Sequence, residues 1–342
     1  MDAAVKIALG AVVAALACAA PAAAAELGQY DQCGAVGSAS AVSVSGASCD
    51  AARSVATALV AAPAEDSASV LRAEGWTPLR ADAETGGGEF DLLARRGYAA
   101  LRVRRPGTAP DLDGWNAGRE LLFARGKLVG GARPPDGTVL CTSSFLIRLG
   151  GHPGGLSAAH CGGVRKDGTT QRHNAAMRRP PQPGIVLGGV QRNLARTRPI
   201  DALVVPVPTG ASRPSADVVD RGVSRPPWYV AGTAQSTPKR RVCMSGRTSG
   251  IDQCGVILSG TVGRHIAEDA SRAAGTRVVC TSIIAREGDS GGPVYTRPRS
   301  NGTVRAVGIT TLVYGLFQTM CYTAINPVLD ALHATLVTVS AR

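Results

Sequence analysis

The amino-acid sequence predicts an all-β protein preceded by a small α+β unit. Three observations point there. First, short apolar runs recur at 139–149, 185–190, 200–207, 255–262, 277–284 and 304–313, separated by Gly- and Pro-rich stretches, a spacing typical of β-sandwiches and barrels. Second, the 342 residues include 42 glycines and 21 prolines and show no sustained heptad, which disfavours a helical bundle or coiled coil. Third, charge divides the chain. Residues 26–127 carry 11 basic and 13 acidic side chains, a net of −2; residues 128–342 carry 25 and 11, a net of +14. An apolar content of 44% is enough to bury a core and excludes wholesale disorder. The length fits about two domains.

The elements follow in chain order. Residues 1–25 read as a secretory signal peptide: a charged start with Lys6, a short apolar run over 7–20, and small residues ending at Ala25. The run is shorter than the ~20 residues a membrane span needs. Cys18 lacks the aliphatic residue three positions earlier that a lipoprotein signal would carry. Cleavage after Ala25 places the chain outside the cell, with no membrane contact after signal removal. Eight cysteines then remain, and an oxidising compartment predicts disulfides, with 105 possible connectivities. No Cys-x-x-Cys is present, so no zinc site is expected.

Residues 26–105 form the α+β unit. Residues 41–45 alternate like a strand. Asp50 caps a helix over 51–62 that ends before Pro63, and 98–103 is a second strand. A Cys33–Cys49 bridge would staple this small core. Residues 106–127 read as a linker or activation segment, rich in Pro, Gly and Asp over 106–116. The β-rich domain spans 128–342. Its end is helical: Asn326-Pro327 opens a pattern with Val328, Leu329, Leu332 and Leu336 on one face.

Three segments carry chemistry. In Gly288-Asp289-Ser290-Gly291-Gly292-Pro293, glycines permit a sharp turn that exposes a serine hydroxyl and gathers backbone N–H groups at one point. Serine is a weak nucleophile without a base to take its proton. Ser157-Ala158-Ala159-His160-Cys161 supplies an imidazole. Asp201 enters an apolar strand, where a carboxylate can orient that ring; Asp217 and Asp220 sit in more polar surroundings. The order His, Asp, Ser is one of the known triad orders. His152, His173, His265 and His333 read as surface or structural, and Asn301-Gly302-Thr303 matches a common short glycosylation motif.

On these motifs the stretch 128–342 resembles the chymotrypsin-fold serine proteases, most closely the secreted bacterial branch of streptogrisins and α-lytic protease. Leu128-Val129-Gly130-Gly131, thirteen residues before Cys141, resembles the short bacterial opening. Cys243-Met244-Ser245-Gly246-Arg247-Thr248 with Cys254-Gly255 resembles a stretch holding an internal disulfide. The resemblance implies two six-stranded antiparallel β-barrels with a C-terminal helix. It implies Ser290 as nucleophile, His160 as general base and acid, Asp201 as the orienting acid, and the N–H groups of Gly288 and Ser290 as the oxyanion hole. It also implies disulfides Cys141–Cys161, Cys243–Cys254 and Cys280–Cys321, which leaves Cys33–Cys49, and a salt bridge for Asp289. No metal or organic cofactor is required.

Departures from the pattern bear on specificity. Ile284, not an acid, stands six residues before Ser290, which argues against a Lys or Arg preference, and Thr311-Leu312-Val313 replaces a wall usually made of Ser-Gly-Gly. These four residues are the expected specificity pocket, with small or medium apolar P1 residues preferred; Arg286 leaves acidic P1 residues as a lesser option. Met244 stands where the family places an arginine, so Arg247, or an amino group freed by cleavage after Lys127, would partner Asp289. The acidic N-terminal half fits an intramolecular propeptide against the basic domain, with a retained accessory domain as the rival. The expected partners are protein or peptide substrates, and the expected state is a monomer. The alternative is a catalytically weak protease-fold protein that binds anionic polymers or a protein partner. Scattered basic residues and few aromatics argue against specific nucleic-acid binding. An ester-cleaving acyl hydrolase shares the same chemistry.

Overall fold

The computed structural model describes residues 29–83, 88–107, 117–125, 139–162, 173–179, 182–207, 218–221, 224–315 and 318–339. The expected signal peptide, the Leu128–Gly131 opening and Asp217 lie outside them.

The N-terminal domain is one antiparallel sheet with helices on one face. Strands β1 (Asp31–Val36), β2 (Ala39–Ser45), β3 (Thr77–Ala83), β4 (Glu89–Arg96) and β5 (Ala99–Pro106) pair in the order β1-β2-β5-β4-β3. Helix α1 spans Cys49–Ala61 and α2 spans Ser67–Ala73. The cap of α1 is Ser48, whose hydroxyl accepts from the Ala51 N–H at 3.3 Å; Asp50, the expected cap, sits inside the first turn. Both residue types cap well, and such a cap is worth about 1 kcal/mol. At the other end Arg105, almost fully buried, donates to the carbonyls of Leu59 and Ala62 and so satisfies groups the helix leaves unpaired. Val42, Leu59, Leu71, Trp76, Phe90 and Leu101 fill the core, and Cys33–Cys49 ties β1 to α1.

The expected linker is only partly a linker. Strand β6 (Glu120–Arg125) lies within it and pairs with β7 (Val139–Thr142) on one side and with β10 (His173–Arg179) on the other. Its Leu121, Leu122 and Phe123 are all buried, so a short apolar run after the Pro- and Gly-rich residues forms a strand. The first barrel continues with β8 (Leu146–Leu149), β9 (His152–Ser157), β11 (Gln182–Gly189), β12 (Arg192–Asn193) and β13 (Leu203–Pro206). Pairings β7-β6-β10-β11 and β8-β9-β13 form its two sides, and β11 lies beside β13. Leu121, Phe123, Leu146, Leu203 and Val205 fill the inside.

Strands β14 (Val218–Val219) and β15 (Trp228–Thr233) lead into the second barrel: β16 (Arg241–Gly246), β17 (Gly250–Val256), β18 (Val279–Ile284), β19 (Pro293–Thr296), β20 (Thr303–Tyr314) and β21 (Thr319–Ala324). The ring runs β17-β16-β19-β20-β21-β18 and closes where Ile257 bridges Thr281. The second barrel is thus a closed ring of six strands, whereas the first is built of two separate sheets that pack on each other. Phe145, Ile147, Leu156, Val204, Trp228 and Tyr295 form an apolar cluster between them.

Helix α3 (Gly260–Ala274) interrupts β17 and β18 and was not foreseen, because 255–262 read as a strand. Ile266, Ala267, Ala270 and Ala274 line its packed face, and Gly275 closes it in the left-handed conformation. The C-terminal helix α4 (Ile325–Leu332) is as expected, except that Leu336 has passed into a final strand, β22 (Ala334–Leu336), paired with β8. All four disulfides join the expected pairs. Among the described residues no helix is long and apolar enough to cross a membrane.

Candidate active site

Strand register brings the acid to the imidazole. In the β9–β13 pair Leu203 faces Ser157 and Val204 faces Leu156, so continuing two residues past Leu203 sets Asp201 opposite the turn Ala159–Gly162. Asp201 uses both oxygens there. Oδ1 accepts the His160 backbone N–H at 3.0 Å, and Oδ2 lies 2.9 Å from His160 Nδ1. One carboxylate thus holds both the backbone and the ring of the same residue. Asn193 Nδ2 donates to the Ala159 carbonyl at 3.1 Å and braces the same turn. Asp201 is buried, whereas 46% of the His160 side chain faces solvent. Desolvation by the surrounding protein lowers the His160 pKa, but the charge of Asp201 and its hydrogen bond outweigh this, and the net shift is above 6.5. Asp220, a rival in the sequence, instead lies 3.8 Å from Arg119.

Ser290 comes from the second barrel, in the loop between β18 and β19. Its carbonyl accepts the Thr142 N–H at 2.8 Å, and Cys161 Sγ, part of a disulfide, lies 4.0 Å from the same oxygen. The nucleophile candidate is therefore packed against the residue after His160. Thr142 also donates its hydroxyl to the Gly288 carbonyl and accepts the Arg247 N–H, at 2.8 and 3.1 Å. Nothing in the sequence marks Thr142: its role exists only where the two barrels meet.

The loop conformation depends on glycine. Gly288 and Gly291 have φ of +95° and +88°, which an L side chain rarely adopts. A Cβ on Gly291 would collide with Ser157 Oγ and the Thr142 carbonyl. Within the loop the N–H groups of Asp289, Gly291 and Gly292 donate to Arg286, Thr310 and Asp289. Those of Gly288 and Ser290 have no hydrogen-bond partner among the described residues.

Asp289 is fully buried and is neutralised without an ion pair among the described residues. It accepts the backbone N–H groups of Thr248, Ser249 and Arg286 at 2.9, 2.9 and 2.8 Å, and the Ser249 hydroxyl at 2.5 Å. This corrects the expected salt bridge. Arg247 turns away and pairs with Glu120 at 2.5 Å. Three backbone donors and a hydroxyl satisfy the carboxylate as a cation would.

The four expected pocket residues lie on β18 and β20. Ile284 is 60% exposed. The register of β18 on β21 slips between Cys280 and Ile284, and the next residue, Ala285, is buried. Thr311 directs its hydroxyl to Thr323 at 2.8 Å. Leu312 packs beneath α3, and Val313 packs on the second-barrel core.

Behind the site lies a buried network that no motif announces. Asp252 accepts from Arg221 Nε, Trp228 Nε1 and the Tyr295 hydroxyl at 2.8, 2.6 and 2.8 Å. The Arg221 guanidinium stacks 3.7 Å from the Trp228 ring centroid. Burial pushes the Tyr295 hydroxyl well above its usual pKa, so it remains a donor. The cluster Cys141, His160 and Cys161 brings potential metal ligands together, but both sulfurs are spent in a disulfide, so it offers no thiolate.

No family model matches the chain, and no curated protein matches it. Solved structures are similar to it. Thermobifida fusca protease A is 24% identical at a TM-score of 0.44, over 65% of this chain and 98% of that one. A Nocardiopsis protease is 23% identical at 0.42, over 67% and 100%. An α-lytic protease homologue, N4, is 21% identical at 0.44, over 64% and 97%. The strand pairing stands independently of these likenesses: with two sheets packed as a first barrel, a closed six-stranded second barrel and a C-terminal helix, the chain has the fold of the chymotrypsin-type serine proteases.

Proposed function

We propose that the protein is a secreted serine endopeptidase. Ser290 attacks the scissile carbonyl while His160 takes its proton. His160 then returns the proton to the leaving amine, and water releases the acyl group by the same route. Asp201 fixes the ring with Nδ1 protonated, which leaves Nε2 as the base, and stabilises the imidazolium that forms. The unpartnered N–H groups of Gly288 and Ser290 receive the negative charge on the carbonyl oxygen; losing one such donor typically costs about 10²–10³ in rate. The observation that carries this reading is the double grip of Asp201 on His160, with the Ser290 main chain packed against Cys161. A purely structural aspartate–histidine pair has no need of a serine loop delivered from the other barrel.

The disulfides and the N-terminal 1–25 pattern support an extracellular enzyme. Residues 281–285 contain no acid, and Asp289 is consumed by Thr248, Ser249 and Arg286, which supports a small or medium apolar P1 residue over Lys or Arg. Fluorophosphonate labelling beside Ser290→Ala tests the nucleophile, and a peptide library tests the reaction and P1 preference. Labelling of the wild type only, with cleavage after apolar residues, is expected. Equal labelling of both proteins refutes Ser290. Ester turnover without any peptide cleavage refutes the endopeptidase assignment.

A further inference from the structure

The structure assigns the N-terminal domain a permanent place in the working enzyme: we propose that residues 29–107 dock on the outer wall of the second barrel and that the chain is catalytically competent without their removal. This rests on the serine-hydrolase reading above. Four observations carry it.

The first is where the domain sits. Leu79 and Leu93 on its sheet share a buried apolar cluster with Val218, Tyr229 and Val339 of the β14–β15 region, and the Tyr98 ring lies 5.6 Å from the Tyr229 ring. These residues belong to the approach to the second barrel, not to the seam that holds His160 and Ser290. Burying such side chains contributes roughly 1.5–3 kcal/mol each, so the contact is a stable one. The second is that the site is open with the domain in place: 46% of the His160 side chain is exposed in the full chain. A segment that inhibits by filling the cleft would cover that ring.

Third, cleavage after Lys127 would not free the domain. The stretch 117–125 belongs to the first barrel and its surroundings: Ala117 N–H donates to Val218 and Gly118 N–H to Ser143, and β6 pairs on both sides. Glu120 also holds Arg247, whose N–H is bound by Thr142 at the serine loop. Fourth, activation by a newly freed amino group has no task left, because Asp289 already has four donors from 248, 249 and 286. A domain held by apolar contact, outside an open site, acts as a structural base for the second barrel.

The test uses the chain from residue 26 onward, with a specific protease site inserted in 108–116 so that the domain can be severed after folding. Fluorophosphonate labelling is followed by intact mass before and after the cut. The expected result is labelling of the uncut chain, with a rate that changes less than 2-fold on cutting. Tyr98→Ala should leave that rate within 2-fold while lowering Tm. Labelling confined to the severed form, or a rise of 10-fold or more on cutting, overturns the proposal while leaving Ser290 as nucleophile. No labelling of either form sinks the serine reading itself and the proposal with it.

Discussion

Gly291→Ala is the substitution for which the structure gives the sharpest expectation. The methyl group would stand well under 3.0 Å from Ser157 Oγ and the Thr142 carbonyl, and 3.1 Å from the Ala158 nitrogen. Two of these neighbours are backbone, so a rotamer change cannot relieve the clash. The φ of +88° adds about 1–3 kcal/mol for a residue with a Cβ, and overpacking adds about 1–3 kcal/mol more. The sum, about 2–6 kcal/mol, corresponds to a Tm loss of roughly 4–24 °C for a domain of this size. Relief must come from parting the two barrels at Ser157, three residues before His160, so the fluorophosphonate rate should drop more than 10-fold even well below Tm. Gly250→Ala is the control: its φ is +86°, but nothing lies within 4 Å of the added Cβ. It therefore pays only the backbone strain and should keep the wild-type rate. Scanning calorimetry and labelling kinetics measure both effects. A Gly291→Ala protein within 2 °C and 2-fold of wild type would refute the close-packed seam.

Asp201→Asn should lower turnover by about 10⁴ through loss of the correct ring tautomer; a change under 10-fold would remove Asp201 from the mechanism. His160 must be neutral to act, so the wild-type labelling rate should fall as pH drops through a value above 6.5, and a limb below 6.5 contradicts the Asp201 contact. The same raised pKa means that the pair's contribution to stability is complete below about 6.5 and is lost as pH rises through the folded value. Asp201→Asn should therefore cost more Tm at pH 6 than at pH 9, and the reverse order would contradict the linkage. Asp252→Ala removes the acceptor shared by Arg221 Nε, Trp228 Nε1 and the Tyr295 hydroxyl and should cost about 1–3 kcal/mol or more in urea unfolding; less than about 1 kcal/mol would mean that these donors find other partners. In the N-terminal domain burial raises the Asp91 pKa, but hydrogen bonds and charge from Arg102 and Arg104 lower it further, to below 3.8. Its stabilisation is present above 3.8 and fades as pH falls through the folded value, so Asp91→Asn should flatten the acid limb of the domain's melting curve.

The contact of Asp201 with His160 was legible because both residues sit in short local motifs, and disulfide partners follow once the fold is guessed. The strands were legible as apolar runs, but not their extent. β6 is hard to read because Gly- and Pro-rich residues precede it and its apolar run, Leu121 to Ala124, is only four residues long. α3 was lost because its apolar stripe is mostly alanine, which carries little hydrophobic signal, and because Val256, Ile257 and Leu258 precede it like a strand. Its left-handed Gly275 cap was a usable clue. The register shift between Cys280 and Ile284 was equally invisible, since it depends on how β18 pairs with β21. The donors of Asp289 were invisible for a different reason: backbone N–H groups have no letter in a sequence.

That last point explains how a site split between two barrels is kept in register. His160 and Asp201 belong to the first barrel and Ser290 to the second, so their geometry is only as good as the seam. Across that seam the contacts are made by main chain and by a hydroxyl: Thr142 N–H to the Ser290 carbonyl, Thr142 Oγ1 to the Gly288 carbonyl, and the Arg247 N–H to Thr142 Oγ1, at 2.8, 2.8 and 3.1 Å. Such bonds need the two backbones to approach closely, which is why the residue beside the nucleophile has no side chain. The Cys141–Cys161 disulfide then binds the strand that carries Thr142 to the turn that carries His160. The Gly-Asp-Ser-Gly-Gly-Pro motif therefore carries two kinds of information at once. One is the serine proposed as nucleophile, and the other is the glycines around it, which let the second barrel's main chain reach the first.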